Sequence, residues 1–135
     1  MLDHEKLDVY QLSLAFVSWS YDLCRQLKGM DRHARDQLLR ASQSIPLNIA
    51  EGNGKLPTAD RKRFLRIALG SALECGAVLD VLVACETISI RTVADGKRML
   101  QRIVAMLTKM TSVGTQLKEE SAIDYEIASE ELGNH

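Results

Sequence analysis

Apolar residues recur along most of this chain at spacings of three and four, the period of a helix rather than a strand. Four such segments stand between short polar or glycine-containing breaks. The first, about Glu5 to Lys28, carries two adjacent seams. One is Leu7, Tyr10, Leu14, Val17, Tyr21 and Cys24; the other is Val9, Leu12, Phe16, Trp19, Leu23 and Leu27. One seam packs a helix in a monomeric bundle, so two predict a helix covered on more than one side. Gly29 is the expected stop, and Asp31 the expected cap of the next helix.

The second segment, about Arg32 to Asn53, turns Ala34, Leu38, Ala41, Ile45, Ile49 and Gly52 to one face. Pro46 lies inside it. Proline has no N–H and its ring crowds the carbonyl of Ser42, so a kink or restart is expected. The third segment, about Ala59 to Glu86 with Thr58 as its N-cap, is apolar nearly all round beyond Arg66. Phe64, Ile67, Ala68, Ser71, Cys75, Val78, Leu79 and Leu82 form its expected core face. The fourth runs from about Val93 to Leu117, with Thr92 and Asp95 spaced as a capping box and Leu100, Ile103, Leu107, Met110 and Leu117 inward. Short connections make consecutive helices antiparallel. The expected fold is all-α: an up-and-down antiparallel four-helix bundle with helix 2 kinked at Pro46.

Composition supports that fold. The 135 residues suit one domain, and 46% apolar with only 4% aromatic favours helix-on-helix packing over a sheet. The net charge of −1 hides an asymmetry. Residues 119–135 hold six acids and no Lys or Arg, leaving 17 basic and 12 acidic groups in residues 1–118, a charge of +5. The chain is expected to divide into a bundle, 1–118, and an acidic C-terminal tail, 119–135. The tail reads either as a solvated end or as a shield for the basic body. The charged N-terminus lacks a signal-peptide pattern. Glu74 and Asp80 interrupt the most apolar run, each costing about 2.5–3.5 kcal/mol at a bilayer centre. A cytoplasmic protein without membrane association is expected. Cys24, Cys75 and Cys85 show no metal or redox spacing and read as small core residues.

No catalytic set, metal-ligand spacing or nucleotide-binding glycine pattern is present, so neither enzymatic activity nor a cofactor is expected. Three groupings remain. Asn48, Glu51, Ser71 and Glu74 could meet across helices 2 and 3, as a register-fixing polar network; an acid–base pair there would lack a histidine or third acid. Lys55, Arg61, Lys62, Arg63 and Arg66 gather at the start of helix 3, where cations oppose the helix dipole. They form a collar, either solvated with local salt bridges or touching phosphate groups of RNA or DNA. The only nearby aromatic, Phe64, is assigned to the core, so base stacking is not indicated. The second face of helix 3, including Leu65, Leu69 and Leu73, needs a cover, which another subunit would supply.

The stretch with Arg40, Ser44-Ile45-Pro46 and Asn48-Ile49-Ala50-Glu51-Gly52 is followed by Arg63-Phe64-Leu65, Ile67-Ala68, Gly70-Ser71-Ala72 and Glu74. In order and separation it resembles the bacterial protein family first noted as reading frames within intervening sequences of large-subunit ribosomal RNA genes. The resemblance covers roughly residues 5–118. It implies a four-helix bundle assembled as a homopentamer. It also implies kinship with accessory proteins of diversity-generating retroelements, which bind nucleic acid and partner a reverse transcriptase. The expected function is that of a non-enzymatic oligomer contacting nucleic acid or a nucleoprotein partner. The alternative is a scaffold oligomer without nucleic-acid affinity, favoured by the near-neutral charge and the acidic tail.

Overall fold

The three-and-four spacing closes into four helices packed side by side: α1 (Asp8–Cys24), α2 (Arg32–Asn53), α3 (Ala59–Ala84) and α4 (Ile90–Ala122). The structure, a computed structural model, describes residues 2–55 and 59–122, with side chains through Thr111 apart from Lys6. Short 3-10 turns, Asp3–Lys6 and Gly29–Asp31, precede α1 and α2. Among the described residues each helix touches its two neighbours in the order α1–α2–α3–α4–α1, with no diagonal contact and no strand. Neighbours are antiparallel. Along α2 and α3, Ser44 meets Ser71 while Gly52 meets Phe64; along α3 and α4, Gly76 meets Leu100 while Asp80 pairs with Lys97.

The α2 core face follows the expected pattern. Leu38, Ile45 and Ile49 are fully buried, each worth roughly 1.5–3 kcal/mol of burial. In α1 the buried line is Val9, Ser13, Phe16, Ser20, Leu23 and Cys24, running through two buried serines, with Leu27 buried just after the helix. The second expected seam supplies Val9, Phe16 and Leu23 of this line and Leu27 beyond it, with Leu12 and Trp19 half-buried alongside. The first does not form a core face, since Leu14 and Tyr21 are exposed. Ser13 satisfies its hydroxyl on the Tyr10 carbonyl at 2.7 Å. Small α1 residues leave room for α4 to approach, and Gly96 of α4 sits directly beneath the Trp19 indole.

Phase and ends differ from expectation in several places. The core line of α3 is Leu65, Ala68, Ala72, Cys75, Leu79 and Leu82, with Ser71 and Val78 beside it. Ile67, expected inside, is 41% exposed. Helix α2 continues through the buried Pro46 without restarting. Asp31 precedes α2 but its carboxylate caps nothing; it accepts the Thr87 hydroxyl at 3.1 Å, tying the two loops at one end of the bundle. Helix α3 ends in a reverse turn in which Thr87 N–H reaches the Leu82 carbonyl at 3.0 Å and Glu86 N–H the Val83 carbonyl at 2.9 Å. This places Glu86 at φ +61°, a conformation that favours glycine.

Helix α4 starts three residues early because Ser89, not Thr92, is the cap. Its Oγ accepts the Thr92 N–H at 3.0 Å, and Asp95 pairs with Arg98 instead of closing a capping box. At its far end α4 continues to Ala122, past the expected boundary at 118. Thr58 and the rest of the acidic tail lie outside the described residues. Cys24 and Cys75 are buried, as small core residues should be, whereas Cys85 is exposed.

Candidate nucleic-acid interface

The basic cluster stands where α2 ends and α3 begins. Gly52 makes this junction tight. A Cβ there would meet the Arg61 carbonyl and the Phe64 Cβ at 3.2 Å, and Leu65 Cδ2 at 3.4 Å. A side chain there would push the first turns of α3 away by a few tenths of an ångström, so glycine allows the closest approach to α2. The close approach brings Lys55, which follows α2, beside residues of α3.

Phe64 organises two of the cations. It is half-buried rather than enclosed, with the Arg63 guanidinium 4.4 Å and the Lys55 ammonium 5.5 Å from its ring centroid. Such cation–ring contacts are worth about 0.5–1 kcal/mol each at exposed sites. Lys55 also pairs with Glu51 at 3.3 Å and Arg63 with Asp60 at 3.8 Å, both at exposed positions. Exposed pairs hold side chains weakly. Among the described residues, Arg61, Lys62 and Arg66 form no salt bridge. Arg61 and Lys62 are half-buried, and Arg66 lies exposed one turn further along. Five cations therefore stand within two turns of one helix start, facing two carboxylates.

The expected polar network is partly assembled, around a residue the sequence did not single out. Asn48 Nδ2 donates to the Ser44 carbonyl at 2.8 Å and to Ser44 Oγ at 3.0 Å, and Ser71 Oγ donates to Ser44 Oγ at 2.8 Å. Ser44 thus bridges α2 and α3. Its signal was the four-residue spacing from Asn48 on the same helix face. Glu51 and Glu74 do not belong: both are exposed, and Glu51 serves Lys55. The helical phase of α3 turns Glu74 away from α2, so no carboxylate pair exists there for acid–base chemistry.

The expected subunit-facing residues also separate. Leu65 is corrected to the core: it is 1% exposed, packed beneath Gly52 at the α2–α3 contact. Leu69 is half-buried, whereas Leu73 is 58% and Val81 54% exposed. Leu73 and Ala77 border a shallow groove between α3 and α4 with Leu100 and Val104. Burial pushes the Cys24 thiol up to about 11 and the Cys75 thiol up to about 12, so neither offers a nucleophile at neutral pH. Among the described residues no three His, Cys, Asp or Glu side chains converge as a metal site would need.

Known proteins add the following. The fold is similar to the crystal structure of a protein of unknown function from the S23 ribosomal protein family of Bacteroides thetaiotaomicron. The TM-score is 0.71 and the identity 25%, over 78% of this chain and 99% of that one. No curated protein matches the sequence significantly. The model of the 23S rRNA-intervening sequence protein family matches residues 5–109, most of the bundle, and the chain belongs to that family.

Proposed function

We propose that this protein is a non-enzymatic homo-oligomer, a pentamer by its resemblance to ring-forming relatives, that contacts RNA or DNA or a nucleoprotein partner through its basic collar. The observation that carries the reading is the collar itself. Lys55, just after α2, and Arg61, Lys62, Arg63 and Arg66 of α3 gather at one end of the bundle, opposed by Glu51 and Asp60 alone among the described pairs. Cations at a helix start work against the macrodipole, so helix stability does not explain them. Backbone phosphates suit such a surface, and repetition around a ring multiplies its field. The exposed apolar stripe of Leu73 and Val81 supports self-association.

Fluorescence anisotropy with labelled single- and double-stranded probes tests the reading. Binding should be independent of sequence and weaken steeply with salt, with dissociation constants of about 10⁻⁴–10⁻⁶ M per protein unit. Replacing Arg61, Lys62 and Arg63 with Glu should abolish it while light scattering shows the same oligomer. Leu73→Glu should instead dissociate the oligomer and leave helical content intact. A second reading, a scaffold oligomer that binds only protein, draws on the apolar α3–α4 groove and the net charge of −1. Absence of probe binding even at low salt would leave that reading standing alone.

A further inference from the structure

The register of α3 and α4 fixes where the acidic C-terminal segment begins. Asp80 pairs with Lys97, and the Gly76 position faces Leu100. Counting away from these two contacts along antiparallel helices sets Arg66 level with residues 110–111 and Arg61 level with residues 115–116. Helix α4 runs on to Ala122, whereas α3 starts at Ala59. Glu119 therefore falls about one helical turn, some 5 Å, beyond the level of Arg61. The six acids between Glu119 and Glu131 leave the bundle at the end that carries the collar, not at the end where Asp31 meets Thr87. From Ala122, the 13 residues 123–135 reach up to about 43 Å when extended. That is more than enough to fold back across a bundle end whose adjacent helix axes stand about 8–10 Å apart.

The charges are complementary. The segment carries six acids and no Lys or Arg, and the collar carries five cations opposed by two carboxylates. Tethering raises the local concentration of the segment at the collar without a high-affinity contact. To a cation cluster the segment offers what a phosphate backbone offers, namely several negative oxygens spaced along one chain.

We infer that residues 119–135 are the resting occupant of the collar, an internal polyanion that nucleic acid or another anionic partner must displace. This deepens the reading of the collar as a phosphate-contacting surface and rests on it for its functional meaning. The docking itself is independent of that reading. Weak non-specific binding then becomes selective. An isolated phosphate does not compete with a tethered acidic segment, whereas a long polyanion spanning several subunits does.

Lysine footprinting of the full chain tests the docking. The native protein is compared with a full-length variant in which Glu119, Glu120, Glu126, Glu130 and Glu131 become Gln and Asp124 becomes Asn. Each is treated with an amine-acetylating reagent and read by mass spectrometry. Lys55 and Lys62 should react several-fold more slowly in the native chain, and exposed Lys28, at the opposite end, at the same rate in both. The protection should vanish near 1 M salt, where the screening length is about 3 Å. Equal rates at Lys55 and Lys62 in the two proteins overturn the inference.

Anisotropy with a labelled single-stranded RNA forms the second arm. The neutralised-tail chain should bind several-fold more tightly than the native one. Tighter binding without lysine protection means repulsion at a distance and overturns docking. Equal RNA affinity in both forms overturns displacement while leaving the collar as the binding surface. Protection with no RNA binding by either form supports the docked segment and removes the nucleic-acid reading instead.

Discussion

Replacing Gly96 with alanine should destabilise the bundle, against the direction of helix propensity. The added Cβ would overlap Cη2 of Trp19 and stand 2.5 and 2.7 Å from its Cζ3 and Cζ2. Carbon atoms pack at about 3.5–4.0 Å, so the indole must withdraw by about 1 Å or α1 and α4 must part. The indole is restrained, because it stacks on Phe16 with ring centroids 5.7 Å apart and 23° between planes, and Phe16 is fully buried. Overpacking costs about 1–3 kcal/mol, and three ring atoms at such distances place this site toward the upper end. Alanine returns about 1 kcal/mol of helix propensity. The net is a loss of about 1–2 kcal/mol.

Gly70 supplies the control. Nothing lies within 4 Å of a Cβ there, so Gly70→Ala should stabilise by about 0.5–1 kcal/mol. Urea unfolding followed by circular dichroism, at one fixed protein concentration, measures both. Trp19 is the single tryptophan, and its fluorescence should shift in the Gly96 variant alone. A Trp19→Leu background should relieve most of the Gly96→Ala penalty, a coupling that reports the contact directly. If Gly96→Ala is as stable as the parent and the fluorescence is unmoved, the α1–α4 packing derived above is wrong.

Three further outcomes follow from the structure. Glu86→Gly should stabilise the fold by about 1 kcal/mol in the same urea assay, because Glu86 holds φ +61° where only glycine is unstrained. Asn48→Leu should cost about 1–2 kcal/mol, since it removes both hydrogen bonds to Ser44 in a half-buried setting; a neutral result removes the network. Burial raises the thiols of Cys24 and Cys75 to about 11 and about 12, from 9.0 when unfolded. Only the unfolded chain releases these protons just above pH 9, so stability should fall as pH rises from 9 toward 11, by about 1 kcal/mol per thiol at pH 10. Cys75→Val should flatten its share of that fall. In the native state a thiol reagent should titrate Cys85 and spare the other two.

Legibility followed the contrast within each helix. Helix α2 opposes one apolar line to a polar face, so Leu38, Ala41, Ile45 and Ile49 were readable as core. Helix α3 offers little contrast, and its phase slipped: Leu65 is core and Ile67 is partly outside. In α1 the buried line follows the second apolar seam but also contains Ser13 and Ser20, whose polar identity hid their place in it. Helix ends were misplaced where neighbouring residues offer equivalent signals, as with Ser89 and Thr92. The αL residue Glu86 carries no sequence signal at all. The basic cluster was visible as letters. The seating of Arg63 and Lys55 on Phe64 was not, because it depends on α2 and α3 meeting at Gly52.

The stretch from Ser44 to Ser71 acts as a positioning device for the collar. Ser44 joins α2 to α3 by accepting the Ser71 hydroxyl, with Asn48 of α2 orienting its Oγ, which helps set how far one helix slides along the other. Gly52, two turns further along α2, fixes how closely they approach. With slide and separation both set, Lys55 arrives beside Arg63 on opposite sides of the short connection, and Phe64 gives both a common seat. None of these residues needs a charge to do this. The residues that carry the resemblance thus include the ones that set this junction, Ser44, Asn48, Gly52, Phe64 and Ser71, together with one collar cation, Arg63. A substitution at Ser44 or Gly52 should therefore disturb the collar's geometry from a distance, whereas a substitution at Arg61 or Lys62 should change its charge and leave the bundle as it is.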